Sequence, residues 1–201
     1  MTLAFRDIDL EQHGALCTKI RAETFAVSFD TDALFWAEAG PQGEFYLAAL
    51  KERMEYLPGS CVHAWIGDDI VGMLELKPSA RDSGVGYVNT FYLLPAFRGQ
   101  GLTDALEDYI KDYFTGQGMT TVSLTVSPDN RRAVAYYRKH GWKDMGSIPM
   151  MGGWLPNYNA GILPGGQSPP PLPSALDAKT AQLEQVGGAG YVLLMEKRYD
   201  H

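Results

Sequence analysis

The stretch PAFRGQGLTDALEDYI, Pro95 to Ile110, sets a flexible, arginine-flanked Gly99-Gln100-Gly101 between an apolar run and a segment of plain helical periodicity. Leu102, Ala105, Leu106, Tyr109, Ile110, Tyr113 and Phe114 recur at i, i+3, i+4, i+7, i+8, i+11 and i+12, a stripe that only a helix places on one face. Gly116 and Gly118 mark its end. Just upstream, GYVNTFYLL reads as a strand, so the quoted loop joins a strand to a helix. At such a junction the first helical turn leaves backbone N–H groups without partners, and the aligned peptide dipoles place partial positive charge there. Gly99 and Gly101 remove side chains that would hold an anion away, and Arg98 adds a full charge. The pattern describes a phosphate cradle as readily as a tight turn. Asp104, one turn into the helix, confines an anion to the loop over residues 99–103.

Upstream, a short strand near Leu3 to Asp7 leads into a helix over about Leu10 to Phe29. A second helical stretch runs to about Tyr56, broken around Gly40-Pro41-Gln42-Gly43. CVHAWI, the turn GDD and IVGMLELKP read as a hairpin, which a loop at Arg81 to Gly84 connects to GYVNTFYLL; these three strands are expected to be antiparallel neighbours. Downstream of the stripe come the strand TTVSLTV and a helix that starts at SPDN and stops at Gly141, then the strand WKDMGSI. From Met150 to Pro173 the composition changes to Gly, Pro, Asn and isolated aromatics, after which a capped helix is expected from Ser174 to Val186, before a last strand in GYVLLMEKRY; the segment is expected to pack as a lid over the acceptor side. Strand–helix–strand–helix after an antiparallel hairpin predicts an α/β (α+β) layer fold with a mixed, mostly antiparallel sheet of six to seven strands. The expected organisation is a single domain over residues 1–201, with 149–188 an insertion before the last strand.

The chain has 201 residues, 45% of them apolar and 20% charged, with a formal charge of −7. That balance disfavours a general nucleic-acid or anionic-membrane binder, and makes a cationic partner the easier one to attract. The N-terminal MTLAFRDIDLEQHG lacks a signal-peptide core and no run approaches the ~18 apolar residues of a membrane span, so a cytoplasmic protein is expected. Cys17 and Cys61 form no CxxC, and neither a disulfide framework nor a metal site is expected. A P-loop needs a Gly-Lys pair, which the chain lacks, and a dinucleotide fingerprint needs a glycine where Asp104 stands.

The order hairpin, FYLLPAF strand, RGQGL, amphipathic helix, strand and SPDNRRAVAYYRKHGW resembles the GNAT acyltransferase superfamily. The family's cofactor loop, Arg or Gln, two residues, Gly, one residue, then Gly or Ala, is met at Arg98 and Gly101 and departs at Thr103. Its second signature is met at Asn130, Ala133, Tyr137 and Gly141-Trp142. The resemblance covers residues 60 to 148 well and leaves the insertion unaccounted for.

The resemblance implies acetyl-CoA as cosubstrate, held by its pyrophosphate over Arg98, Gly99, Gln100, Gly101, Leu102 and Thr103 and flanked by Asn130. It implies that Phe91 and Tyr92 pair with the pantetheine amides, that the backbone N–H of Leu93 stabilises the oxyanion, and that Tyr137 assists the leaving thiolate. The implied acceptor is a primary amine of a small molecule or peptide, on a protein that is a monomer or homodimer. Where some members carry a catalytic Glu, this chain has Thr125. Glu75, His63 or a water chain remain for the base, and Trp154 and Tyr158, with their apolar neighbours, are expected to wall the acceptor. The rival readings are an acyltransferase using another acyl group and a CoA-binding regulatory module without catalysis, to which the missing Glu lends weight.

Overall fold

The computed structural model describes residues 2–149 and 191–199. Helix α1 (Leu10–Phe29) starts where the Asp9 carboxylate accepts from the N–H groups of Glu11 (3.0 Å) and Gln12 (3.1 Å), and stops at Asp30 in the left-handed region. The expected break separates α2 (Ala33–Ala39) from α3 (Glu44–Tyr56). After β1 (Ala4–Asp7), the hairpin strands are β2 (Cys61–Ile66) and β3 (Asp69–Pro78), followed by β4 (Val85–Leu93). The striped helix is α4 (Thr103–Thr115), then β5 (Thr121–Val126), α5 (Arg131–Lys139), β6 (Lys143–Pro149) and β7 (Tyr191–Arg198).

The seven strands form one sheet in the order β1-β2-β3-β4-β5-β7-β6. Every pairing is antiparallel except β4 with β5, which is parallel. One face carries α4 and α5: Leu106, Ile110 and Phe114 from the stripe are fully buried against Leu74, Leu76 and Val122. Leucine-sized side chains buried this completely contribute about 2 kcal/mol each. A Cβ at Gly86 on β4 would stand 2.6 Å from the Phe114 ring, so α4 reaches the sheet only because that position is bare. The other face carries α1 to α3, with Ile20, Phe35, Tyr46 and Leu50 packed on Cys61 and Met73.

Each face also encloses a carboxylate. Glu75 on β3 accepts from Tyr46 Oη (2.8 Å) and Asn89 Nδ2 (3.0 Å), with Arg53 at 3.6 Å and Arg21 at 3.8 Å. Asn89 is the extra residue of a β-bulge, because Glu75 faces Thr90 while Leu76 faces Val88. On the opposite face Glu107 of α4 accepts from Trp142 Nε1 (2.9 Å), Lys197 Nζ (2.9 Å) and Tyr199 Oη (3.1 Å), tying α4 to β7 and to the turn after α5.

His63 on β2 is fully buried, with Nε2 3.5 Å from Cys17 Sγ and its ring 5.6 Å from that of His13. Burial, then the neighbouring His13, pushes it from 6.5 down to about 4. Because the unfolded chain takes up this proton near pH 6.5 and the folded chain near 4, stability is fully present above about pH 6.5. It is lost progressively as the pH falls to about 4, by roughly 3 kcal/mol from this group. Denaturant unfolding of His63→Gln across that window is expected to show a clearly shallower loss of stability than the wild type, and an equal slope would remove His63 as the cause.

Candidate functional site

Strands β4 and β5 are paired over Val85–Tyr87 and Thr121–Ser123, and not beyond. Past Tyr87 and Ser123 each keeps its outer partner, β3 or β7, so a gap opens between two strands that are both held. Leu94 donates its N–H to Val71 O at 2.9 Å. Since successive residues of an antiparallel ladder turn their N–H and C=O groups to opposite sides, Phe91 and Leu93 present theirs to the gap. Tyr92, by the same alternation, turns its backbone to β3 and only its ring to the cleft.

The gap opens into a cleft of about 1400 Å3, larger than the roughly 300–1,000 Å3 typical of small-ligand pockets. The glycine loop lies at its mouth. Gly99 and Gly101 both have φ of 74°, and a Cβ built on either would meet nothing within 4 Å. Their bareness therefore serves the left-handed backbone and leaves open space above it. Leu102, at the N-cap of α4, offers no side-chain cap, so the first-turn N–H groups are not met by one. Asp104 turns outward, 3.9 Å from His140 Nε2.

Arg98 does more than lend charge. Its Nε donates to Leu93 O at 2.8 Å, its guanidinium lies over the Tyr92 ring at 5.1 Å, and Nη2 is 3.9 Å from Glu23. It straps the loop to the end of β4. Gln100 does not line the cleft; its amide donates to Ala96 O at 2.8 Å, while Leu102 is buried in the core. Thr103 does line it.

Across the gap, Asn130 caps α5 by accepting from Ala133 N–H at 3.2 Å. Tyr137 and Tyr136 both line the cleft, with ring centroids 6.2 and 5.7 Å from Phe91. Burial, then the charge of Glu107, raises Tyr137 well above the usual phenol range, and the Tyr87 phenol adds to the rise. Tyr137 therefore stays protonated at neutral pH. Tyr87, the last β4 residue to pair with β5, places its hydroxyl 2.7 Å from Thr125 Oγ1, bridging the closed end of the gap.

Neither base candidate reaches the cleft. Glu75 and His63 are fully buried because α1 and α3 cover their face of the sheet. Their neighbours Arg21 and Asn89 line it instead. So does Lys77, two residues along β3 from Glu75, which the sequence reading passed over. A second charged residue, two along from Glu75 in a mostly apolar strand, was its signal. Arg21, Lys77 and Arg81 outnumber Glu38 and Asp82 in this half, so the net charge of the chain does not describe its cleft. Pro149 ends β6, so the expected insertion starts one residue later than read, and its remainder, with Trp154, Tyr158 and the helix at Ser174, lies outside the described residues. Among the described residues no cluster of His, Cys, Asp and Glu is placed to hold a metal ion, and no helix is long and apolar enough to cross a membrane.

A sheet parted between two parallel strands, with a glycine loop at the mouth, defines an α/β protein whose sheet itself carries a strand-shaped cleft. Within that class the chain belongs to the acetyltransferase (GNAT) family, which it matches over residues 25–142, more than half its length. Its fold is similar to that of the PaiA N-acetyltransferase of Thermoplasma acidophilum, solved with coenzyme A (15% identity, 99% of this chain and 100% of that chain, TM-score 0.61). It is similar also to YncA of Salmonella typhimurium, solved with acetyl-CoA (14% identity, 100% and 96% covered, TM-score 0.60). Naa50 of Arabidopsis thaliana, solved with a bisubstrate analogue, shares the fold at 18% identity, with 99% and 100% covered and a TM-score of 0.53. Comparison with curated proteins gives no match.

The Arg98 strap generates a prediction. A hydrogen bond from a charged donor contributes about 1.5–3 kcal/mol, discounted here because Arg98 is half-exposed. Arg98→Ala is expected to speed amide exchange over residues 99–103 roughly tenfold and to leave the β3–β4 ladder protected. Unchanged exchange in the loop would show that Arg98 holds nothing.

Proposed function

We propose that the protein transfers an acetyl group from acetyl-CoA to a primary amine by direct attack within a ternary complex. The observation that supports this most is the parted pair β4 and β5, because it presents backbone amide groups of Phe91 and Leu93 to a strand-shaped space between held neighbours. A pantetheine arm carries amides with the complementary pattern, and would pair there as an added strand does. The residues fit the rest of such a molecule. Open space over Gly99 and Gly101 and the uncapped start of α4 suit a pyrophosphate. The N-terminus of α5, capped by Asn130, flanks the same arm.

For the chemistry, the attacking amine must be neutral, the carbonyl oxygen must find a donor as it gains charge, and the sulfur must be met as it leaves. The Leu93 N–H, turned into the gap, is the proposed oxyanion donor. Tyr137 is the proposed partner of the sulfur. With its phenol raised well above 10 by burial and by Glu107, giving up its proton to a thiolate of pKa ~8.5 is uphill by more than about 2 kcal/mol. Its role is therefore to donate a hydrogen bond. No covalent enzyme intermediate enters the scheme.

Gly101→Val is expected to abolish acetyl-CoA binding, because the side chain would occupy the space above the loop and strain a φ of 74°. Calorimetry on the folded variant checks it, and wild-type affinity would remove the cradle. Tyr137→Phe is expected to keep that affinity and lower kcat by about 10- to 100-fold, the worth of a hydrogen bond to a charged sulfur, read from the release of free CoA thiol with a panel of amines. Equal rates, with chemistry limiting, would return Tyr137 to the core.

A further inference from the structure

Helix α5, RRAVAYYRK, carries four cations and no acidic residue in a chain whose formal charge is −7. Two of them, Arg131 and Arg132, stand in its first turn, where the aligned peptide dipoles favour negative charge and disfavour positive. The helix itself gains nothing from that placement. Arg138 is paired with Asp144, 2.9 Å away and off the cleft. Arg132 and Lys139 line the cleft, both exposed, and among the described residues neither has a hydrogen bond or an ion pair. From residue 132 to residue 139 a helix turns to within about 20° of its starting direction and rises about 10 Å, so the two cations share one stripe of α5.

Packing fixes the direction of that stripe. Val134 and Tyr137 are buried in the core, and Tyr136 Oη stands 3.5 Å from Glu107 Oε1. The His140 ring stacks on that of Tyr136, with centroids 4.0 Å apart, and its Nε2 is 3.9 Å from Asp104. These contacts bring the second half of α5 up to the first turn of α4, beside the glycine loop. The other charges at this end of the cleft are committed or of the wrong sign for an anion. The Arg98 guanidinium donates to Leu93 O and faces Glu23, and Asp104, 77% exposed, repels negative charge on the α4 side. Positive charge without a partner therefore stands on α5.

Coenzyme A carries two kinds of phosphate: the pyrophosphate, which the open space over Gly99 and Gly101 and the uncapped start of α4 suit, and a single phosphate on the ribose. Resting on the acetyl-transfer reading, we infer that Arg132 and Lys139 receive the ribose phosphate and so make the protein select CoA over dephospho-CoA. A phosphomonoester brings nearly two negative charges at neutral pH, which offsets both the repulsion between the two cations and the misplacement of Arg132 at a helix N-terminus. Neither residue belongs to the signatures at Arg98 and Gly101 or at Asn130, Ala133 and Tyr137.

Calorimetry of the full chain with CoA and with dephospho-CoA, which differ only in that phosphate, needs no acceptor and no turnover. CoA is expected to bind about tenfold more tightly at low salt, two exposed ion pairs contributing a factor of a few each, and the ratio is expected to shrink at high salt. Arg132→Gln and Lys139→Gln are each expected to lose part of the ratio and the double variant all of it, by weakening CoA and leaving dephospho-CoA unchanged. Arg138→Gln removes the same charge from the same helix away from the cleft, and is expected to keep the ratio. An equal loss for both ligands in the double variant overturns the proposal, since the cations would then serve the pyrophosphate. A ratio that Arg138→Gln lowers as much as the cleft variants do overturns it too, as an effect of the overall charge. Thermal unfolding without ligand separates a role in the fold: Arg132→Gln is expected to keep or raise the wild-type Tm, because it removes a cation from a helix N-terminus, and a lower Tm would return Arg132 to the fold. Binding of neither ligand to the wild type overturns the acetyl-CoA reading along with this one, whereas equal binding of both overturns this one alone.

Discussion

The parting of β4 from β5 is the constraint around which the rest of the molecule is arranged. Two parallel strands that share three residue pairs and then separate leave backbone N–H and C=O groups facing inward along the remainder of β4. Inside a protein such groups are costly unless met. Closing the gap would satisfy them, but β3 pairs with β4 along its length and β7 with β5 along its own, so neither strand can shift without breaking a longer ladder. The fold therefore holds open a slot whose lining asks for a hydrogen-bonding partner. Where the slot ends is fixed by side chains. Phe114 seats on the bare Gly86, and Tyr87 reaches across to Thr125 immediately beyond the last shared pair.

Two buried carboxylates keep the walls of that slot in place, one on each face. Glu75 joins α1 and α3 to the bulge at Asn89, and Glu107 joins α4 to β7 and Trp142. Such pairs are weak evidence of net stability, because desolvating the charges offsets much of their attraction. What they do determine is position. A carboxylate with several donors has few alternative arrangements, so α1 and α4 keep their registers on opposite sides of the gap. Arg98 extends the same logic to the loop, where its bond to Leu93 O fixes the glycines relative to the strand they follow.

Local pattern made most of the frame legible. The α4 stripe, the β2–β3 hairpin and the capped start of α5 each carry their signal within a dozen residues, and each stands where the sequence puts it. The hubs did not announce themselves, because their partners are distant: Lys197 and Tyr199 lie 90 and 92 residues from Glu107. Glu75 and His63 are candidate bases in the sequence because one ends its strand and the other lies on the strand paired with it. The sequence could not tell that α1 and α3 would cover that stretch while leaving Lys77 at the cleft. Open space stands over the motif glycines, and Arg98 beside them is a strap to Leu93 O as well as a charge, which its place in the motif does not tell.

Titratable groups on the two faces of the cleft are driven in opposite directions by the same burial. Losing water disfavours whichever form is charged, so the Lys77 amine is pushed toward neutrality and the Tyr137 phenol is held protonated. Neighbouring charges reinforce each, Arg53 and Arg21 on one face and Glu107 on the other. A buried site thus acquires a neutral group able to take a proton and a neutral group able to offer a hydrogen bond, approaching the gap from opposite faces of the sheet. The separation follows from the parted sheet: a continuous ladder between β4 and β5 would have screened Tyr137 from the face that carries Lys77.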